Sequence, residues 1–110
     1  MSRVRKSEKT RSTRKALTVS HTERLVGELR SDPALAAEYL SAAAEDGDPR
    51  VYLAALRTVA EAKGMAKLAK AAGVPRESLY RALSSNGNPR FSTLHAVLKA
   101  AGLKMAVEVV

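Results

Sequence analysis

Apolar residues recur at helical spacing through most of the chain and turn to strict alternation only in its last eight residues. After Asp32, the positions Leu35, Ala36, Tyr39, Leu40 and Ala43 share one face of a helix. After Asp48, the positions Leu53, Leu56, Val59 and Ala60 do the same, up to Gly64. Both starts read Asp-Pro, an acid that can accept the first orphan N–H groups followed by the residue best suited to the first helical turn. The first of these helices runs into "EDGD", where Gly47 is expected to stop it in a left-handed conformation. Met65, Leu68, Ala69 and Ala72 predict a third, short helix that ends at Gly73. A fourth restarts at Pro75 and runs to about Leu83, with Leu79 and Leu83 facing inward. "SSNGNPR" is a loop by its turn residues. Ser92 is expected to cap a fifth helix with Leu94, Val97, Leu98 and Ala101 inside and Gly102 as its stop. Ahead of these five, "HTERLVGELRS" places Leu25, Val26 and Leu29 at helical spacing and predicts one more short helix.

The period changes in "LKMAVEVV". Leu103, Met105, Val107 and Val109 alternate with Lys104, Ala106, Glu108 and Val110, the pattern of a strand. A lone strand in a helical domain has no ladder partner, and its N–H and C=O groups need one from another chain. That partner is a second copy or a different protein; the competing reading is a frayed segment.

At 110 residues the chain is expected to be one domain, with residues 1–20 as a flexible basic tail and residues 21–110 as the folded unit. Cysteine is absent, and the two histidines, His21 and His95, stand far apart, so no zinc site or histidine-based catalytic site is expected. No nucleophile–base pair, metal cluster or phosphate loop is visible, and Glu23, Glu28, Asp46 and Asp48 read as caps and surface charges. The expectation is no enzyme, no cofactor and no metal. No run of about 18 apolar residues is present, so no transmembrane helix is expected. The formal net charge is +8. Most of it lies in residues 1–20, where Arg3, Arg5, Lys6, Lys9, Arg11, Arg14 and Lys15 stand against Glu8 alone. Such a tail is either a nucleic-acid arm or a solvated leader, and its composition also resembles an organellar transit peptide.

The stretch "AAGVPRESLYRALS", Ala71 to Ser84, bears on function. Two helices can cross closely only if the first is small on its inner face, and Ala69 and Ala72 are small. Gly73 accepts positive φ at little cost. Val74 plugs the core, Leu79 and Leu83 anchor the second helix, and Arg76, Glu77, Ser78, Tyr80 and Arg81 are left outside. In a DNA-reading helix-turn-helix the N-terminal end of that second helix enters the major groove. There arginine bonds guanine bidentately, while serine and tyrosine reach bases or phosphates. The competing reading is a helical hairpin that reads nothing.

The run "LAKAAGVPRESLYRALSSNGNPRFSTLHAVLKAAGLKMAVEV", with "YLSAAAEDGDPRVYLAALRTVAEAKGMAKLA" before it, closely resembles the addiction-module antidote proteins of bacterial toxin–antitoxin pairs. These form the HigA-like branch of the Xre/Cro helix-turn-helix family. The resemblance spans about Asp32 to Val109, with "LYRAL", "GNPRFSTL" and "AGLKMAVE" as its most specific parts. It implies an all-α, five-helix domain of the lambda-repressor type that acts as a homodimer. The residues add a short C-terminal β-strand to that expectation. The resemblance further implies a cytoplasmic regulator that binds double-stranded operator DNA, represses its own operon and neutralises a RelE/ParE-like toxin. By motif position it implies base contacts from Arg76, Glu77, Ser78, Tyr80 and Arg81. It implies backbone contacts around Gly64, Met65, Asn88, Arg90 and Ser92. Two departures stand out. The wider Xre pattern has Ser/Thr then Gln where this chain has Gly64 and Met65, so Lys67 is the expected electrostatic substitute. An acid common late in the recognition helix is Leu83 here. A solitary regulator without a toxin, and a helical scaffold with vestigial DNA binding, remain the alternatives. Leu103, Met105, Val107 and Val109 are the expected dimer or partner strand.

Overall fold

The computed structural model describes residues 23–110. The expected flexible tail, residues 1–20, lies outside the described residues. Six helices follow in order: α1 (residues 23–31), α2 (Pro33–Ala44), α3 (Pro49–Lys63), α4 (Met65–Ala72), α5 (Arg76–Ala82) and α6 (Phe91–Ala100). α2 packs on α3, and α4 is the hub that touches α3, α5 and α6. The all-α expectation holds, and each predicted helix is present.

The two Asp-Pro starts work as their chemistry dictates. Asp32 Oδ1 accepts the N–H groups of Ala34 (3.0 Å) and Leu35 (3.2 Å). Asp48 Oδ1 accepts the Arg50 N–H at 2.9 Å, and its carboxylate also holds the Arg50 guanidinium at 2.9 Å. That bond keeps the Asp48 carboxyl below, and the Arg50 guanidinium above, their ordinary values.

The leucine positions read from the pattern form the centre. Leu29, Leu56, Leu68, Leu79 and Leu83 are fully enclosed with Val59 and Val97, and no polar side chain is buried with them among the described residues. Burying a leucine side chain contributes roughly 1.5–3 kcal/mol, so these residues dominate the fold's stability. Helix ends are tied across the core by long cationic side chains. Arg30 Nε donates to Ala62 O (2.7 Å), and Lys63 Nζ donates back to Arg30 O (2.8 Å). Each cation thereby meets carbonyls at the negative end of a helix, where it is favoured.

Three sequence expectations are corrected. Gly47 does not stop α2 in a left-handed conformation; the C-cap is Glu45 at φ −77. Shorter bonds satisfy the last carbonyls instead, Glu45 N–H to Ala42 O and Asp46 N–H to Ala43 O, and the Asp46 side chain then turns the chain by accepting the Asp48 N–H. Ser92 does not cap α6. The N-cap is Arg90, extended at φ −66 and ψ 153 after Pro89, so Ser92 lies already inside the helix.

The third correction is the strand. Residues 103–110 form neither helix nor strand. Gly102, at φ 83, closes α6, and the Leu103 N–H reaches back to Leu98 O at 2.8 Å. Beyond that point there is no ladder, because no other strand exists among the described residues to supply one.

Candidate nucleic-acid interface

Of the predicted contact residues, five sit on α5. Its position is set by α4. Ala69 is buried and Ala72 half-buried, so α5 can approach closely. Gly73 takes φ 73 and ψ 29, the left-handed geometry a Cβ would oppose. The Val74 N–H closes the turn on Ala69 O at 3.0 Å, and the Val74 side chain packs against the core. Pro75 is extended, and α5 begins at Arg76. Leu79 and Leu83 then point inward with no exposure at all.

That anchoring turns the other face to solvent. Arg76, Glu77, Tyr80 and Arg81 are exposed, and Ser78 is half-buried. The outward arginines do not hang free. The Arg76 guanidinium lies over the Tyr80 ring, 5.4 Å from its centroid, with Nη2 at 3.5 Å from the hydroxyl. The hydrogen bond to Tyr80 holds the Arg76 guanidinium above its ordinary value. Arg81 Nη2 donates to Ser78 Oγ at 3.4 Å. Four of the five outward residues thus form two pairs, each an arginine with a partner about one turn away, which narrows the positions each cation samples.

The C-terminal end of α5 is held by residues the sequence reading did not single out. Arg57 Nη1, on α3, donates to Leu83 O at 3.2 Å. Ser84 Oγ donates to Arg81 O at 2.8 Å. Gly87 lies so close behind α5 that a Cβ there would come within 2.6 Å of the Ala82 carbonyl carbon and 2.7 Å of Arg81 O. "NGN" marks a turn in the sequence, but nothing local says that the turn presses on α5. Arg57 carries no sequence signal, since its partner lies 26 residues away.

The remaining predicted contacts surround α5 less uniformly. Lys67, Asn88, Arg90 and Ser92 are exposed. Gly64, at φ 102, gives its N–H to Ala60 O and Glu61 O as the cap of α3. The Met65 side chain is in the core, so only the backbone of that residue lies at the start of α4, where no side chain caps the helix. Of the four alternating apolar residues, Leu103 packs against the core, while Met105, Val107 and Val109 are exposed. One exposed apolar residue was not anticipated. Phe91 is 68% exposed and stacks on His95, with centroids 6.0 Å apart, beside a shallow groove between α4 and α6.

No group of three or more His, Cys, Asp or Glu that could hold a metal exists among the described residues. No helix among them is long and apolar enough to cross a membrane. The described residues therefore form a small all-helical unit that displays a short arginine-bearing helix from a tight glycine turn. A family model described as "Probable addiction module antidote protein" matches residues 22–109, and the chain belongs to that family. An uncharacterised protein of Haemophilus influenzae is 40% identical over 70 residues, which cover 64% of this chain and 72% of that protein. No solved structure matches the chain.

Proposed function

We propose that this antidote-family protein binds duplex DNA in a sequence-dependent way through α5. It would repress its own operon as a homodimer and neutralise a RelE/ParE-like toxin of a type II module. The observation that carries the DNA reading is the outward face of α5. Arg76 and Arg81 are exposed five residues apart and steadied by Tyr80 and Ser78, on a helix locked by Leu79, Leu83 and the Gly73 turn. A rigidly mounted arginine pair is the arrangement that favours bidentate guanine contacts. Lys67, Asn88, Arg90 and Ser92, with the first backbone N–H groups of α4, are suited to phosphates, which fix register without reading sequence. Two copies would place two α5 helices in successive major grooves about 34 Å apart. This activity belongs in the cytoplasm, and it requires neither cofactor nor metal.

Fluorescence anisotropy tests the proposal. The full chain is titrated into a labelled duplex from its own promoter region and into a scrambled duplex, at several salt concentrations. Tighter binding to the promoter duplex, with log Kd rising linearly in log salt, supports it. Equal affinity for the two duplexes would sink it. The exposed Phe91–His95 pair favours a second reading, a protein-interaction module that acts on its partner without reading DNA. Under that reading the same titration shows no preference, while Phe91→Ala abolishes capture of a RelE/ParE-like toxin.

A further inference from the structure

Residues 103–110 leave an unmet demand on the surface. Their odd positions are apolar, and Val107 and Val109 are almost wholly exposed. The N–H groups after Leu103 make no backbone hydrogen bond among the described residues. The Leu103 N–H is already spent on Leu98 O. These facts, with the order of charges, restrict what can cover the segment.

We propose that residues 103–109 pair antiparallel with the same residues of a second copy, with the two-fold axis at Ala106. In that register Lys104 stands opposite Glu108 of the second copy, and by symmetry this happens twice. On the other face Leu103 stands opposite Val109, and Met105 opposite Val107, again twice. Moving the axis to Met105 or Val107 sets Lys104 opposite Ala106 or Val110 and leaves Glu108 without a cation. A shift by one residue sets charged side chains against apolar ones and mixes the two faces. Parallel pairing in register stacks lysine on lysine and glutamate on glutamate.

The backbone agrees with the same register. Antiparallel ladders alternate between hydrogen-bonded and non-hydrogen-bonded pairs. Because the Leu103 N–H is occupied, the bonded set falls on the even residues, Lys104, Ala106 and Glu108. The odd residues are then the closely spaced pairs, where apolar side chains gain most from one another. Leu103 already packs on the core, so its face of the ribbon turns toward the domain and lets the second copy's Val109 cover that edge. A two-stranded ribbon alone is marginal in water, and docking against two folded domains overcomes that. The segment is self-complementary, as a closed two-fold interface requires.

This inference rests on the homodimer reading, and the test separates the two. Dimer dissociation constants of the full chain are measured by sedimentation equilibrium for the parent, Lys104→Glu, Glu108→Lys and the doubly exchanged variant. Each single reversal sets like charges opposite one another twice per dimer and should weaken it about tenfold. The double exchange should recover the parent value to within about threefold. Because the chain has no native cysteine, single cysteines at positions 104 to 109 report the axis directly under diamide oxidation. Ala106→Cys should cross-link best, since its Cα atoms would stand about 5.5 Å apart, within disulfide range. A parent dimer that is insensitive to the reversals, unrescued by the exchange, or cross-linked best at another position overturns the register and leaves the dimer standing. A parent that is monomeric at every concentration overturns both.

Discussion

Gly87→Ala adds one methyl group at the place where the loop after α5 touches the end of that helix. Gly87 is not held at positive φ, so the left-handed penalty on alanine does not arise there. The obstacle is space. The new Cβ would stand 2.6 Å from the Ala82 carbonyl carbon and 2.7 Å from Arg81 O, where ordinary contact begins at 3.4 Å. The Ala82 carbonyl oxygen is closer still; all three are backbone atoms of α5 and cannot rotate away, so the loop must retreat by more than an ångström. Strain of this kind costs about 1–3 kcal/mol. The retreat also endangers the 2.8 Å bond from the Gly87 N–H to Ser84 O, which contributes about 1 kcal/mol more. The expected loss is about 2–4 kcal/mol, which corresponds to a melting temperature lower by roughly 10–25 °C for a domain of this size. Urea and thermal unfolding followed by circular dichroism measure both. Gly27→Ala is the internal control. It lies within α1 with nothing within 4 Å of its new Cβ, so the same substitution should stabilise by up to about 1 kcal/mol. A Gly87→Ala protein within 0.5 kcal/mol of the parent, a threshold set by the usual range for surface substitutions, would refute the loop's close approach.

Other expected outcomes follow from the same structure. Leu79→Ala removes a fully enclosed anchor of α5 and should cost about 2–5 kcal/mol in urea unfolding; a loss below 1 kcal/mol would mean that α5 is not anchored there. If α5 reads DNA, Arg81→Ala should weaken promoter binding by about 1–3 kcal/mol and relax the preference over scrambled duplex, and unchanged anisotropy would remove Arg81 from the interface. Deleting residues 1–20 should lower affinity for all duplexes alike and flatten the salt slope if they form an arm; a loss confined to toxin binding would assign them elsewhere. The Asp48 carboxyl is held below its ordinary value by Arg50, so its stabilising effect is present above about pH 4 and is lost as the pH falls through the lowered folded value. The stability gap between the parent and Asp48→Ala should therefore be constant from pH 5 to pH 7 and close in stronger acid; a gap that widens on acidification would contradict the cap.

The division between what sequence determines and what packing decides runs through particular residues. Asp32 and Asp48 announce their helices because a cap and a first-turn proline act within three residues of chain. Gly73 and Gly102 are legible as stops for the same reason, and the leucine stripe is legible because a helix repeats its faces every 3.6 residues. Local chemistry also fixes which side of α5 faces out, once Leu79 and Leu83 are known to face in. It fails where a competing local solution exists, as at Gly47, where Asp46 completes the turn instead, and at Ser92, where the helix starts two residues earlier.

Only tertiary structure brings Arg57 to Leu83 O, Arg30 to Ala62 O and Gly87 onto the back of Ala82. It also leaves Phe91 exposed, whereas the stacking of Phe91 on His95 follows from their i, i+4 spacing within α6. The two arginine contacts join segments whose separation depends on how α1, α3 and α5 are placed, and no periodicity encodes that placement. The alternation in residues 103–110 marks the limit between the two. The sequence specifies a strand's two faces, but a strand exists only through hydrogen bonds to a neighbour, and the described residues of one chain offer none.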